Sequence, residues 1–155
     1  MFKKYAILIL IAFVGFSCEE DEMNVELTKL EKQKLIWQLN RPADYSYRIF
    51  KTCLCPAYER GPFKVTVRNY NIADIQYLGA RPLEIQSSML SNANLQLDSL
   101  FGTMQQHFLQ NPDKVLIDYD PEYGYPAEVS IDFIRTTTDD EVGIFISNFE
   151  LLPKP

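Results

Sequence analysis

The sequence predicts an α+β fold: an antiparallel sheet of about six strands with two helices on one face. Apolar residues recur at helical spacing in two segments and alternate with polar residues, as strands do, in the others. The strand segments are joined by short connections, which favour antiparallel neighbours. With 155 residues, 46% hydrophobic and 23% charged, the chain has the size and composition of one globular domain.

The first half is predicted to be a helix followed by three strands. Thr28 and Glu31 fit a capping box, so we expect a helix from Thr28 to about Asn40. This helix should bury Leu30 and Trp37. The strands are expected at residues 45–55, 63–68 and 72–78, with a turn-rich loop at 56–62, a tight turn at 69–71 and a polar connection at 79–94.

The second half repeats this order. A helical stripe consists of Leu97, Leu100, Phe101, Met104 and Phe108, and the helix stops at residues 111–112. Three strands follow at residues 114–120, 126–134 and 142–151. The halves, about residues 24–94 and 95–155, both read helix–strand–strand–strand, and a Gly-Pro type of turn opens both middle strands. This agreement indicates either an ancient duplication or a chance likeness of two turns.

Residues 1–17 have the pattern of a signal peptide. Lys3 and Lys4 precede an apolar run over residues 6–16, which is too short for a spanning helix of about 20 residues. The run ends in Gly15-Phe16-Ser17-Cys18, which resembles the lipobox of bacterial lipoproteins, although Gly15 stands where Leu is usual. The resemblance implies cleavage before Cys18 and lipid attachment to it. A plain secretory signal, with Cys18 paired elsewhere, is the alternative.

Residues 18–23 are predicted to be a lipidated acidic tether, because four consecutive acids at 19–22 repel one another. The same stretch resembles the surface-export signal of Bacteroidota lipoproteins. Residues 24–155 would then form a single domain. We expect it to be held by its lipid anchor in the cell envelope, at the outer membrane, facing either the periplasm or the cell surface.

Charge is unevenly divided along the chain, whose formal net charge is −6. Residues 24–112 carry ten basic and seven acidic side chains, whereas residues 113–155 carry three and ten. The chain lacks the basic stripe that nucleic acid requires, and it lacks a polybasic patch for anionic lipid. The expected partners are therefore the membrane, through the anchor, and an envelope protein.

Two groups of motifs are similar to a family of bacterial secreted proteins known only as a domain of unknown function. The first joins Tyr45-x-Tyr47 to Cys53-x-Cys55-Pro56 and to the Gly-Pro turn at 61–62. The second is Tyr-Asp-Pro-x-Tyr-Gly-Tyr-Pro at residues 119–126. The resemblance covers nearly the whole chain after the signal peptide, and it implies secretion and fold but no activity. The element order looks, more loosely, like tandem PepSY-type and beta-lactamase-inhibitor-like domains.

Cys53 and Cys55 are the first candidates for chemistry. Residues two apart in a strand share a face, and these two are in phase with Tyr47 and Ile49, so we expect them to point toward the core. Fully extended, their Cα atoms would be roughly 6.5 Å apart, near the upper limit for a disulfide. A structural disulfide is the leading interpretation for a secreted chain. Free thiols, a reactive redox pair and half of a metal site are the alternatives.

No catalytic, cofactor or metal site is predicted. His107 is the only histidine and lies beside the apolar stripe, and the chain has no nucleophile elbow or phosphate loop. The acidic run Asp118-x-Asp120-x-Glu122-x-Gly124 departs from a calcium loop in its glycine position and in having Val129 at the twelfth place. The sequence favours a non-enzymatic protein; a hydrolase using Asp118, Asp120 or Asp132 is a weaker alternative.

Strand phase places two sets of charges on the face of the sheet that points away from the core. The six residues are Arg48, Lys64 and Arg68 in the first half and Asp118, Asp120 and Asp132 in the second. Phe50 and Leu54 would add apolar area. The leading hypothesis is a protein-binding or assembly module that uses this face; the alternative there is a solvated face with local salt bridges. The second functional hypothesis is a thiol-redox or small-ligand-binding protein using Cys53 and Cys55.

Overall fold

The computed structural model describes residues 22–80 and 94–154, in which three helices and six strands are found. The helices are α1 (Glu22–Asn40), α2 (Ala57–Arg60) and α3 (Leu97–Phe108). The strands are β1 (Tyr45–Thr52), β2 (Phe63–Arg68), β3 (Asn71–Tyr77), β4 (Lys114–Tyr119), β5 (Pro126–Asp132) and β6 (Val142–Leu151). None of the described helices is long and apolar enough to cross a membrane.

All six strands form one antiparallel sheet in the order β3-β2-β1-β6-β5-β4. The predicted α+β class and the six-stranded antiparallel sheet are thus confirmed. The central pair, β1 and β6, joins segments that are far apart in the sequence, with Phe50 opposite Phe145. The helix α2 is an addition to the prediction: Pro56 starts a single helical turn, in which the N–H of Glu59 donates to the carbonyl of Pro56 at 2.9 Å.

The core lies between the sheet and the two longer helices. Leu30 and Trp37 of α1 are fully buried, as predicted, and so are Tyr45, Tyr47 and Ile49 on the same face of β1. From α3 the core receives the whole predicted stripe: Leu97, Leu100, Phe101, Met104 and Phe108. Each such side chain contributes about 1.5–3 kcal/mol by leaving water, so this cluster is what holds α1 and α3 on the sheet.

The first helix begins earlier than the sequence predicted. Thr28 is not a cap but an interior residue, whose hydroxyl donates to the carbonyl of Asn24 one turn back at 2.8 Å. Met23 and Leu27 pack against the core and extend the helix in that direction. The capping-box prediction is therefore wrong, because apolar contacts before Thr28 continue the helical turn.

The tight turn between β2 and β3 is formed by Asn69 and Tyr70, which both have positive φ, 46° and 64°. Two such residues make the kind of hairpin turn that matches the twist of the strands. The turn is held by Asp44, whose carboxylate accepts the N–H of Asn69 at 3.1 Å, and by Arg41, whose guanidinium lies 4.9 Å from the Tyr70 ring centre. The predicted signal peptide at 1–17, the start of the tether and most of the polar connection at 79–94 lie outside the described residues.

Candidate functional site

The face of the sheet opposite α1 and α3 carries an aromatic pair at its centre. The Phe50 and Phe145 rings stack with centroids 6.2 Å apart, and 41% and 37% of these side chains are exposed. Leu116 of β4 is 55% exposed on the same face. We call this surface the open face. Its exposed members include Arg48, Phe50, Leu116, Asp118, Glu128 and Phe145.

The basic flank of the open face lies on β1 and β2. Arg48 and Lys64 stand directly opposite each other in the strand register. Two like charges in such positions repel, so an anionic group from another molecule would stabilise both. Arg68, the third predicted residue, has a different role: its guanidinium donates to the carbonyl of Pro153 at 2.7 Å and lies 3.8 Å from the Asp44 carboxylate. It therefore ties down the end of the described chain.

The acidic flank lies on β4 and β5. Asp118 stands opposite Glu128, and Asp132 opposite Lys114 at the end of the same pair of strands. Glu128 was missed by the sequence reasoning, although it alternates in phase with Asp132 along β5 and could have been found from that period. The acidic flank lies directly beside the aromatic pair, since Glu128 is also the register partner of Phe145.

Asp120 does not belong to the open face, because β4 ends one residue before it. Its carboxylate accepts the N–H groups of Glu122 at 3.0 Å and Tyr123 at 2.7 Å. Such a bond to the backbone two or three residues on is what makes Asp favourable in turns. Asp120 is therefore a turn residue that shapes the β4–β5 connection.

The two flanks do not neutralise each other in the described part of the chain. Its three ion pairs are Glu26–Lys29, Arg41–Asp98 and Asp44–Arg68. Of the six predicted residues, only Arg68 takes part in a local salt bridge. The seam between β1 and β6, with its two phenylalanines, separates the remaining bases from the acids by about two strand spacings, roughly 10 Å. An uncompensated basic area and an uncompensated acidic area thus share one face of the sheet.

Cys53 and Cys55 form a disulfide just beyond the end of β1. Their Cα atoms are 5.1 Å apart, closer than in an extended strand, because the chain bends after Thr52. The expectation that the pair points toward the core is wrong for the same reason, and both side chains are half-buried outside the core cluster. Cys53 lines a cleft of about 410 Å³ together with Lys51, Arg60 and Tyr77. Burial lowers the pKa of Lys51, whose amine donates to the carbonyl of Asn94 at 3.3 Å.

His107 is half-buried on α3, with its ring centre 5.3 Å from that of Phe133 in an edge-on arrangement. Burial lowers the pKa of the imidazole. Within residues 22–80 and 94–154, no three His, Cys, Asp or Glu side chains come together in a way that could hold a metal ion.

The Tyr-Gly-Tyr-Pro motif packs the β4–β5 turn against α1. The Tyr125 ring stacks on Phe149 at 5.0 Å and meets Trp37 edge-on at 5.8 Å. Gly124 has a φ of +79°, and a Cβ atom there would be 2.9 Å from the Ile36 side chain. The motif therefore serves the core, and it is not a candidate binding site.

Residues 29–151 match the model of a family of unknown function (DUF6174), and the chain belongs to that family. No curated protein and no solved structure matches the chain.

Proposed function

We propose that this member of a family of unknown function is a non-enzymatic envelope protein that binds another protein through its open face. The observation that carries the proposal is the exposed Phe50–Phe145 pair at the centre of an uninterrupted sheet, between charges that the described chain leaves unpaired. An apolar centre with a polar rim is the usual anatomy of a protein interface.

The shape of the open face favours a macromolecular partner. Small molecules bind in concave sites that surround most of their surface, whereas a sheet offers a broad and nearly flat one. The charges would mainly set the orientation of the partner and the rate of encounter. Phe50 and Phe145 would supply the apolar contact that excludes water from the centre.

The test is capture of the partner by chemical crosslinking in cells that make the full chain. Arg48→Glu reverses a charge on the open face, and Lys32→Glu makes the same change on an exposed position of α1. We expect the crosslinked species to be lost with Arg48→Glu and kept with Lys32→Glu. Arg68 is unsuitable for this test, because its substitution would also release Pro153. An unchanged crosslinking pattern in both variants would refute the proposal.

The proposal includes attachment to the outer membrane through lipid on Cys18, with residues 18–23 as the tether and residues 1–17 as the removed signal. Its support is the sequence pattern at the start of the chain. Growth with a labelled fatty acid should label the wild-type protein and leave Cys18→Ser unlabelled. Label retained in Cys18→Ser would exclude this anchor. Protease added to intact cells would then distinguish a surface location from a periplasmic one.

The division into two helix–strand–strand–strand halves also belongs to this proposal. On that interpretation the bases of the open face lie in the first half and its acids in the second. A duplicated unit whose copies acquired opposite charge would account for a face with two flanks. The support is the element order, in which β1–β3 and β4–β6 each follow a helix.

A second candidate function is thiol chemistry at Cys53, which is favoured by its position on the cleft beside Lys51 and Arg60. Cations near a cysteine stabilise its thiolate, the reactive form. The test is alkylation and intact mass over a graded redox buffer. A bond that opens under mild reductant would support the candidate and make Cys53→Ser the next variant. A bond that resists strong reductant would make the pair structural.

A further inference from the structure

The charge pattern of the open face identifies a partner. We propose that the face binds a second copy of this chain, so that two sheets pack face to face around a twofold axis parallel to the strands. This inference rests on the proposed function, namely that the open face binds protein.

The open face is complementary to itself. Its basic flank, Arg48 and Lys64, lies on one side of the seam between β1 and β6, and its acidic flank, Glu128 and Asp118, lies on the other. Each flank contains one residue of the opposite charge: Asp74 on the edge strand β3 lies in the basic flank, and Lys114 at the start of β4 lies in the acidic flank. The net charge of each flank keeps its sign. A surface that is basic on one side and acidic on the other can pair with its own copy, which is the requirement for a closed twofold dimer.

The charges also select the axis. Two sheets that face each other can be related by a twofold axis across the strands or along them. An axis across the strands would place basic flank on basic flank. An axis along the strands, through the central seam, places the basic side of one copy over the acidic side of the other, with β1 facing β6. The register sets β2 and β3 toward one end of the central strands and β4 and β5 toward the other, so β2 meets β5 only where Lys64 and Glu128 lie near each other.

In this arrangement the central aromatic residues meet at the axis. Phe50 lies opposite Phe145 in the register, so Phe50 of one copy faces Phe145 of the other, twice. Across the sheet, Lys64 is level with Arg48, whereas Glu128 is level with Phe145 and Phe50. Arg48 and Phe50 are two residues apart on β1, so the offset between Lys64 and Glu128 along the strands is about 7 Å. An extended lysine side chain reaches a carboxylate at that offset. The dimer thus contains two symmetric Lys64–Glu128 contacts.

The overlapping area suits a weak dimer. Only β1 and β6 overlap over most of their length, and β2 meets β5 near one end, so with strands about 4.8 Å apart the contact covers roughly 400 Å² on each copy. Stable interfaces bury about 800 Å² per partner, so a weak association is expected. The proposed lipid anchor would favour pairing, since it confines both copies to one membrane and raises their effective concentration.

The experiment is sedimentation of the full chain in a density-matched mild detergent, with charge reversals on each side of the contact. We expect the wild type to form a dimer that weakens as salt is added. Lys64→Glu and Glu128→Lys should each bind themselves about 10- to 30-fold more weakly, because two attractive contacts become repulsive. An equimolar mixture of the two variants should form a heterodimer at the wild-type strength, since both contacts are then attractive. Lys32→Glu should self-associate like the wild type.

The mixture also controls for folding, because misfolded variants would not restore the complex. A wild type that is monomeric at submillimolar concentration would overturn the inference, and so would a mixture that stays monomeric. The proposed function is judged separately by crosslinking: if the wild type is monomeric but Arg48→Glu still loses a different crosslinked protein, the open face binds another partner. If the wild type is monomeric and Arg48→Glu changes nothing, both proposals fail.

Discussion

Replacing Gly124 by Ala should destabilise the fold strongly, although it adds a single methyl group. Gly124 lies in the β4–β5 turn with a φ of +79°, a region that L-residues with a Cβ atom avoid. A Cβ atom built there would lie 2.9 Å from Cγ2 of Ile36 and 3.0 Å from the backbone carbonyl oxygen of Gln33, both on α1. The Ile36 side chain can shift, but the helix carbonyl can move only with the helix.

The expected loss in the free energy of unfolding is about 1–4.5 kcal/mol, from three contributions. The left-handed conformation costs a residue with a Cβ atom about 1–2 kcal/mol. Forcing a methyl group into an occupied space adds about 1–3 kcal/mol. The alanine also restricts the unfolded chain, which returns about 0.4–1 kcal/mol.

The assay is equilibrium unfolding in urea, followed by tryptophan fluorescence, since Trp37 is buried beside this turn and contacts Tyr125. The matched control is Gly102→Ala in α3, where a Cβ atom would meet nothing within 4 Å. That change should stabilise the protein by up to about 1 kcal/mol, because alanine is the better helix former. If Gly124→Ala unfolds within about 0.5 kcal/mol of the wild type, the close approach of the turn to α1 is wrong.

Three further changes test the core and its electrostatics. Trp37→Ala should lower the free energy of unfolding by about 3–5 kcal/mol, because it empties a fully buried position. This variant removes the single tryptophan, so urea unfolding is followed by far-UV circular dichroism for both variant and wild type. A smaller loss would mean that the core collapses into the space. Burial lowers the pKa of His107 in the folded protein, so as the pH falls the imidazole is protonated in the unfolded chain before it is protonated in the folded one. The free energy of unfolding should therefore fall as the pH drops from about 6.5 to the lowered pKa. Thermal unfolding across this window should show that His107→Gln removes part of the slope, and identical slopes would contradict the assignment. A double-mutant cycle on Arg41→Ala and Asp98→Ala should give a coupling free energy of about 0.2–1 kcal/mol, since this pair, which joins the residue after α1 to α3, is partly exposed. Additive effects of the two substitutions would show that the contact contributes nothing.

Most of the local structure was predictable from short sequence patterns. The stripe from Leu97 to Phe108 predicted α3, because a helical period over 12 residues depends only on near neighbours, although the helix ends at Phe108 and not at the predicted stop at 111–112. The strand at Phe63–Arg68 was predicted equally well from its alternation. The start of α1 was not, since contacts of Met23 and Leu27 with the core outweighed the local cap at Thr28.

The candidate site was predictable only in part, for a related reason. Strand alternation correctly assigned Arg48, Lys64 and Asp118 to one face, because side-chain direction in a strand is a local property with a period of two. The same period placed Arg68 and Asp120 on that face as well, but it did not predict their partners, and for Asp120 the placement is wrong because β4 ends at Tyr119. Arg68 is held by Pro153, and Asp120 by the backbone of its own turn.

The sequence by itself determined the fold class, the second long helix, the strand phases and the separation of charge between the two parts of the chain. The tertiary structure decided that β1 pairs with β6, which brings Phe50 next to Phe145 and places the basic and acidic flanks on one continuous face. It also decided the bend that brings the Cα atoms of Cys53 and Cys55 to 5.1 Å from each other. The physical reason is range: periodicity and charge are properties of neighbouring residues, whereas the order of strands is set by packing between segments about 100 residues apart.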